Sequence, residues 1–195
     1  MVVARHLAAQ GMLVDLMIIG AEAMGTDAFQ KQVAWARKLG LAPEELPRFQ
    51  HRVGTAAGLV DGLFGLGLSR DLDPFYQSVV QAMNASPAYT VSVDLASGID
   101  ADTGQVCGAA VEADVSVCFQ WPQPGHFIYP GRRYTGELSL VDIGIPESTL
   151  EHEQVTSFVL DDDVVPAALP DRALDSHKGP YGHLAVVAGP PDRPG

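Results

Sequence analysis

Apolar positions along this 195-residue chain recur in two periods, one helical and one of two residues. In "VVARHLAAQG" the residues Val2, Val3, Leu7 and Ala8 recur at helical spacing, and Gly11 suits the turn that ends a helix. No capping residue opens this segment. "MLVDLMII" reads as a buried strand ending at Gly20. "TDAFQKQVAWARKLG" predicts an amphipathic helix with Thr26 as N-cap, Phe29, Val33 and Ala36 on one face, and Gly40 past its end. Pro43 and Pro47 mark a connection. "AAGLVDGLFG" is the next strand. Asp73 and Pro74 fit the cap and first position of a helix that carries Phe75, Val79 and Met83. "AYTVSVD", ending at Asp94, and "ADVSVCF" and "GELSLVDIG" are three more strands.

Strands alternate with helices over the first two-thirds of the chain, which predicts βαβ units, a mainly parallel sheet and an α/β fold. Such sheets bind ligands at the carboxyl ends of their strands. After Pro146 the pattern breaks. "ESTLEHEQVTSFVLDDDVVPAALPDRALDS" is acidic and irregular and reads as a linker, in which Asp161, Asp162 and Asp163 read as an exposed acidic stretch rather than a metal cluster, since adjacent acids point in different directions. "HLAVVAG" then reads as a strand that has no successor.

A hydrophobic fraction of 47% and a charged fraction of 18% are those of a globular chain. The formal net charge of -12 disfavours a nucleic-acid or anionic-membrane surface, since neutralising phosphate takes clustered Lys and Arg. The apolar N-terminus is interrupted by His6, Gln10, Gly11 and Asp15, so no run approaches the roughly 20 apolar residues of a membrane span. With no signal-peptide pattern, a cytoplasmic location is expected. Two cysteines, Cys107 and Cys118, make no disulfide framework and read as reduced thiols.

The segment "VDGLFGLGLSRDL" raises the question of chemistry. Its strand ends on Asp61, and Gly65 and Gly67 follow. The next strand ends on Asp94, followed by the flexible "LASGIDADTG" with Ser97 and Gly98. A right-handed crossover makes the two strands near neighbours, so both carboxylates lie on one rim. They either cap nearby backbone or belong to a site. Loop glycines let backbone approach a ligand closely, and helix N-termini favour phosphate. Arg70 replaces the last glycine of a dinucleotide fingerprint, so that motif is not met. Asp61 and oxygens near Ser97 suit a hard cation. No His/Cys constellation supports zinc. "LASGID" lacks a nucleophile elbow, and His126 in "QPGH" reads as a loop histidine.

Together, "VVARHLAAQG", "VDGLFGLGLSRDL", "VDLASGIDADTGQVCGAAVEADVSVCFQWPQPGH" and "YPGRRYTGELSLVDIGIP" resemble the NAD(P)H-hydrate epimerase family, the YjeF N-terminal-domain type, over residues 2–146. "HKGPYGHLAVVAG" resembles the opening of an ADP-dependent NAD(P)H-hydrate dehydratase domain, of ribokinase-like fold. The resemblance implies a Rossmann-like three-layer αβα sandwich over 1–147, a linker over 148–175 and the start of a truncated dehydratase domain over 176–195. It implies interconversion of the R and S epimers of hydrated NADH or NADPH, in a parent enzyme that dehydrates the S form with ADP or ATP.

Carried over by motif, the resemblance puts a potassium ion at Asp61 and Ser97. It puts the substrate against Gly65, Leu66, Gly67, Leu68, Ser69, Arg70, Asp71 and Asp94, with Asp94 as the acid–base group. The partner is then a small molecule; neither nucleic acid nor membrane is expected, and a homo-oligomer is compatible with the fold. Two departures stand out. The family's phosphate loop, with a strand before it, belongs immediately ahead of "VVARHLAAQG", where Met1 stands. Gln123 occupies the place of a common family lysine, and an amide can hydrogen-bond but not carry charge. The chain is therefore expected to be part of a bifunctional repair enzyme, weakly active or inactive alone and incomplete at its N-terminus. The alternative is a non-catalytic nucleotide- or protein-binding module on the same fold. An ordinary Rossmann dehydrogenase is the third reading, and the absent glycine fingerprint argues against it.

Overall fold

A computed structural model of the chain describes residues 1–19, 25–44, 49–153, 155, 157–160 and 175. The first helix, α1 (Val2–Ala9), has no side-chain cap at its start and buries none of its residues. Gly11 follows it at φ +83°, in the left-handed region where glycine ends a helix without strain. Strand β1 (Leu16–Met17) is shorter than the apolar run "MLVDLMII" predicts. Its one partner, β2 (Pro43–Glu44), pairs with it in parallel over just two residues, so the rest of the run finds no ladder. Between them lies α2 (Asp27–Lys38), where Thr26 accepts from the Phe29 amide at 3.2 Å and Val33 and Ala36 are buried, as the pattern predicts.

A helix then appears where a connection is expected. In α3 (Phe49–Thr55) the buried residues Phe49 and Val53 stand four apart, one helical turn, and pack on the core. Strand β3 (Gly58–Asp61) leads through a loop to α4 (Pro74–Asn84), whose cap Asp73 accepts from the amides of Phe75 and Tyr76. Strands β4 (Tyr89–Val93), β5 (Val115–Phe119) and β6 (Glu137–Val141) complete a four-stranded parallel sheet in the order β3-β4-β5-β6. The five-residue α5 (Gly131–Thr135) enters β6. This is a mixed α/β fold with a parallel sheet, as strand and helix alternation predicts, and of the Rossmann-like class that the resemblance implies.

The main core is Phe49, Val53, Leu72, Val79, Val80, Met83 and Val111. Met17 and Ile19, from β1 and just beyond, and Leu59 from β3 pack against this one cluster, although no ladder joins the two sheets among the described residues. The buried positions of β4 and β5 are small and polar: Thr90, Ser92, Ser116 and Cys118. Each finds a partner, as buried polar atoms must: Ser92 on Asp61, Ser116 on the Thr135 carbonyl, Thr90 on the Ala88 carbonyl, Cys118 on the Trp121 carbonyl.

The chain divides into two units, Met1–Thr149 and Leu150–Gly195. A short helix, α6 (Ser148–His152), stands where the expected linker begins, and Thr149 donates its hydroxyl to the Pro146 carbonyl at 2.6 Å. Most of the expected linker, with Asp161, Asp162 and Asp163, and the whole of "HLAVVAG" lie outside the described residues.

Candidate active site

Asp61 closes β3, and the parallel register sets it opposite Ser92 of β4. It is 1% exposed. Its Oδ2 accepts from Ser92 Oγ at 2.9 Å and from the Ser97 amide at 2.8 Å. Its Oδ1 accepts from Ser97 Oγ at 2.6 Å and from the Leu63 amide at 3.3 Å. A carboxylate offers about four lone-pair positions, and here four donors, none of them charged, fill them. Ser97 Oγ in turn accepts from the Phe64 amide at 2.9 Å and lies 3.2 Å from the Phe64 carbonyl. Asp61 and Ser97 therefore join the chain leaving β3 to the loop leaving β4. Asp61 takes backbone amides as a cap would, and it also binds two serine side chains.

The second loop is shaped by close approach. Gly98 has φ +99°, and a Cβ there would collide with the Ala109 carbonyl, so no other residue fits. Asp100 Oδ1 accepts from Thr103 Oγ1 at 2.7 Å and from the Thr103 and Asp102 amides at 2.8 and 3.1 Å. The Thr103 hydroxyl, followed by its amide, holds the Asp100 carboxyl below its usual range, against an opposing effect of burial.

Beside Phe64 an open groove of about 800 Å³ runs along the loop after β3. Gly65, Gly67, Leu68, Ser69, Arg70 and Asp71 line it, and Phe64 and Tyr76 meet edge to face at 4.9 Å. Leu66, at the tip of the Gly65–Leu68 turn, is 44% exposed and stands outside that lining. Gly65 and Gly67 differ from Gly98. A Cβ at either position would meet nothing within 4 Å, and neither has a left-handed φ. The turn does not require these two glycines. What they provide is bare backbone beside the groove.

Asp94 follows β4 with φ +71°, a left-handed conformation that Asp adopts more readily than most residues and that costs roughly 1–3 kcal/mol. Its amide donates to the Val117 carbonyl at 2.8 Å, and its Oδ1 accepts from the Phe119 amide at 3.2 Å. The half-buried Asp94 carboxylate therefore leans towards β5, whereas Asp61 is held by β4 and its loop. The two share the rim but have different partners. Near Asp94 lies the Cys118 thiol, pushed up to about 11, first by burial and then by the Asp94 charge.

His126, expected in a loop, ends the short 3-10 turn Pro124–His126 and is fully buried. Its Nε2 lies 2.8 Å from the Asp94 carbonyl, and its Nδ1 lies 3.0 Å from the Gln123 amide. Gln123 itself caps the short 3-10 turn Pro124–His126, with its side-chain Nε2 3.5 Å from the Trp121 carbonyl. Among the described residues no group of three His, Cys, Asp or Glu side chains could hold a metal ion. No helix among them is long and apolar enough to cross a membrane.

Residues 1–125 match the family described as YjeF-related protein N-terminus. The chain belongs to this family. Among YjeF-related relatives, a bifunctional NAD(P)H-hydrate repair enzyme Nnr from Thermofilum pendens is 38% identical over 97% of this chain and 36% of its own length. The Nnr of Moorella thermoacetica is 31% identical over 98% of this chain and 37% of its own. An NAD(P)H-hydrate epimerase from Levilactobacillus brevis is 32% identical over 77% of this chain and 69% of its own. The chain thus spans about a third of the length of the bifunctional relatives it matches. The crystal structure of the yeast protein Ynu0 (YNL200c) aligns with a TM-score of 0.61 at 18% identity, covering 82% of this chain and 67% of that one, and so shares its fold.

Within this YjeF-related domain the residues singled out from sequence fall into three groups: the Asp61–Ser97 pair, the groove loop 65–71, and Asp94. Three further residues belong beside them. Ser92 has a signal in the sequence, a hydroxyl at a buried alternation of "TVSVD". Cys118 and His126 have none, because their closeness to Asp94 depends on β5 and on the turn after it.

Proposed function

We propose that this domain epimerises hydrated NADH or NADPH, interconverting the R and S forms, as one part of a nicotinamide nucleotide repair enzyme. The observation that carries the reading is the groove of loop 65–71, fastened through Phe64 to the buried Asp61–Ser97 pair; Asp94 does not line the groove but closes the neighbouring strand β4 at the same end of the sheet. The names of the YjeF-related relatives support the substrate class. The bare backbone at Gly65 and Gly67 lets a nucleotide lie against the loop, and the exposed Arg70 supplies positive charge for its phosphates in a chain of net charge -12. Asp94 acts as the acid–base group, moving a proton at the hydrated ring through its half-exposed carboxylate. The partner is this small molecule, and neither nucleic acid nor membrane takes part. The working compartment is the cytoplasm, and the parent protein adds an ADP- or ATP-dependent dehydratase that consumes the S form.

A potassium ion would take the oxygens around Ser97: Asp61 Oδ1 lies 2.6 Å and the Phe64 carbonyl 3.2 Å from Ser97 Oγ, and the ion would have to displace one of the four protein donors that now fill the Asp61 carboxylate. Bound there, the ion would neutralise Asp61 and tie the groove loop to the loop after β4.

A second reading is favoured by one residue. By the resemblance, Gln123 stands where the family commonly has lysine, and its amide cannot transfer a proton or supply charge. The domain would then bind the nucleotide without turning it over. Chromatography of R- and S-NADHX, with potassium present and the uncatalysed rate subtracted, separates the two. Acceleration supports epimerisation. Binding of the hydrate with no acceleration supports the binding module and contradicts the catalytic reading.

A further inference from the structure

The buried imidazole of His126 is used by neither the groove nor the Asp61–Ser97 pair, yet it touches the backbone of Asp94. Its protonation state follows from its partners. The Asp94 carbonyl, 2.8 Å from Nε2, can only accept, so Nε2 carries a proton. Gln123 faces Nδ1 with its amide at 3.0 Å, which can only donate, and with its carbonyl at 3.2 Å, which can only accept; the shorter contact, to the amide, calls for an Nδ1 without a proton. Both bonds hold together only in the neutral Nε2–H tautomer.

The turn that presents this ring is itself fixed. The Gly125 amide donates to the Ala101 carbonyl at 2.7 Å, and a Cβ on Gly125 would meet the Asp100 carbonyl at 2.8 Å. Thr135 lies beneath, with Oγ1 3.4 Å from the His126 carbonyl. A rigid donor therefore faces the carbonyl of a residue whose φ is +71°. Asp94 is otherwise held through its amide by Val117 and through its carboxylate by Phe119.

We infer that His126 is a positioning residue for Asp94: its Nε2–H holds the left-handed peptide that aims the Asp94 carboxylate at the rim. Its Nδ1 fastens the Gln123 turn to the same ring. The inference deepens the proposed function and rests on Asp94 as the acid–base group. It adds no group that touches substrate.

Two substitutions separate the halves of the ring. In His126→Gln the amide nitrogen reaches the place of Nε2, which keeps a donor for Asp94. In His126→Asn the shorter side chain keeps an acceptor for Gln123 and loses Asp94. The test is run on the full chain, with folding checked by circular dichroism. His126→Asn is expected to lower kcat for NADHX epimerisation at least tenfold with KM within about twofold, and His126→Gln to recover most of that loss. Equal loss in both variants, or none in His126→Asn, overturns the inference.

A readout independent of turnover accompanies it. Nitrogen-15 NMR of the imidazole should show the neutral Nε2–H form, and the Asp94 carbonyl resonance should move in His126→Asn and stay near its place in His126→Gln. An Nδ1–H ring, or an Asp94 resonance indifferent to both changes, also overturns it. If the unsubstituted chain does not accelerate epimerisation, or Asp94→Asn leaves the rate unchanged, the proposed function fails instead, and the NMR result still decides whether His126 holds Asp94.

Discussion

Asp61 is a buried carboxylate with four donors, so its removal should be felt in folding before it is felt in chemistry. Asp61→Ala strands the Ser97 amide and the Ser92 hydroxyl away from water, which should cost about 3 kcal/mol. A lower urea midpoint at unchanged slope would show it, and an unchanged midpoint would contradict the bonding described. Gly65 and Gly67 predict the opposite balance. With open space at both Cβ positions and no left-handed φ, Gly65→Ala and Gly67→Ala should stay within about 0.5 kcal/mol of the parent in stability. In the groove the added methyl should weaken binding of the hydrated nucleotide about tenfold, measurable by calorimetry.

At this scale the sequence is informative where chemistry is local. A carboxylate ending each of two strands can be read directly. That Asp61 faces Ser92 and Ser97 while Asp94 faces Phe119 and His126 cannot, because those partners come from 25 to 36 residues away.

Elements with a strong local signal form where the pattern puts them. The Asp73–Pro74 start of α4 is one: the carboxylate accepts from two amides and Pro74 pre-sets its own φ. Asp73→Ala should cost about 1 kcal/mol of stability, read as a lowered thermal midpoint, and a loss near zero would show that Pro74 alone starts the helix. Helix α3 is missed because two prolines just before it suggest a connection, and the two buried side chains, Phe49 and Val53, are too few to make a period by themselves. Strand β1 is overestimated for the converse reason. Apolar character predicts burial, but a ladder also needs a neighbour, and β2 offers two residues. The serines of β4 and β5 show why a buried parallel strand need not be all apolar: Ser92 and Ser116 are buried because Asp61 and the Thr135 carbonyl receive their protons.

At the scale of the molecule, both thiols are held in the protonated form. Burial is the first cause in each; Asp94 adds its charge at Cys118, and Asp100 and Asp71 add theirs at Cys107. The native chain should therefore alkylate slowly at pH 8 and quickly once unfolded in urea, and equal rates would contradict the burial. The linkage sign follows. A group whose folded value is raised stabilises fully below its unfolded value, so the contribution of Cys118 is present below pH 9 and is lost as pH rises towards about 11.

Fold class was legible along most of the chain, because alternation of strands and helices is a property of the pattern as a whole. The measurement that bears most directly on the account is the rate of R- to S-NADHX interconversion by the full chain and by Asp94→Asn, side by side. Asn keeps the left-handed backbone and removes the proton-transferring group, so the account predicts a loss of about a hundredfold or more in kcat with the fold intact. A rate within twofold of the parent would take the acid–base role from Asp94 and with it the centre of the proposed mechanism.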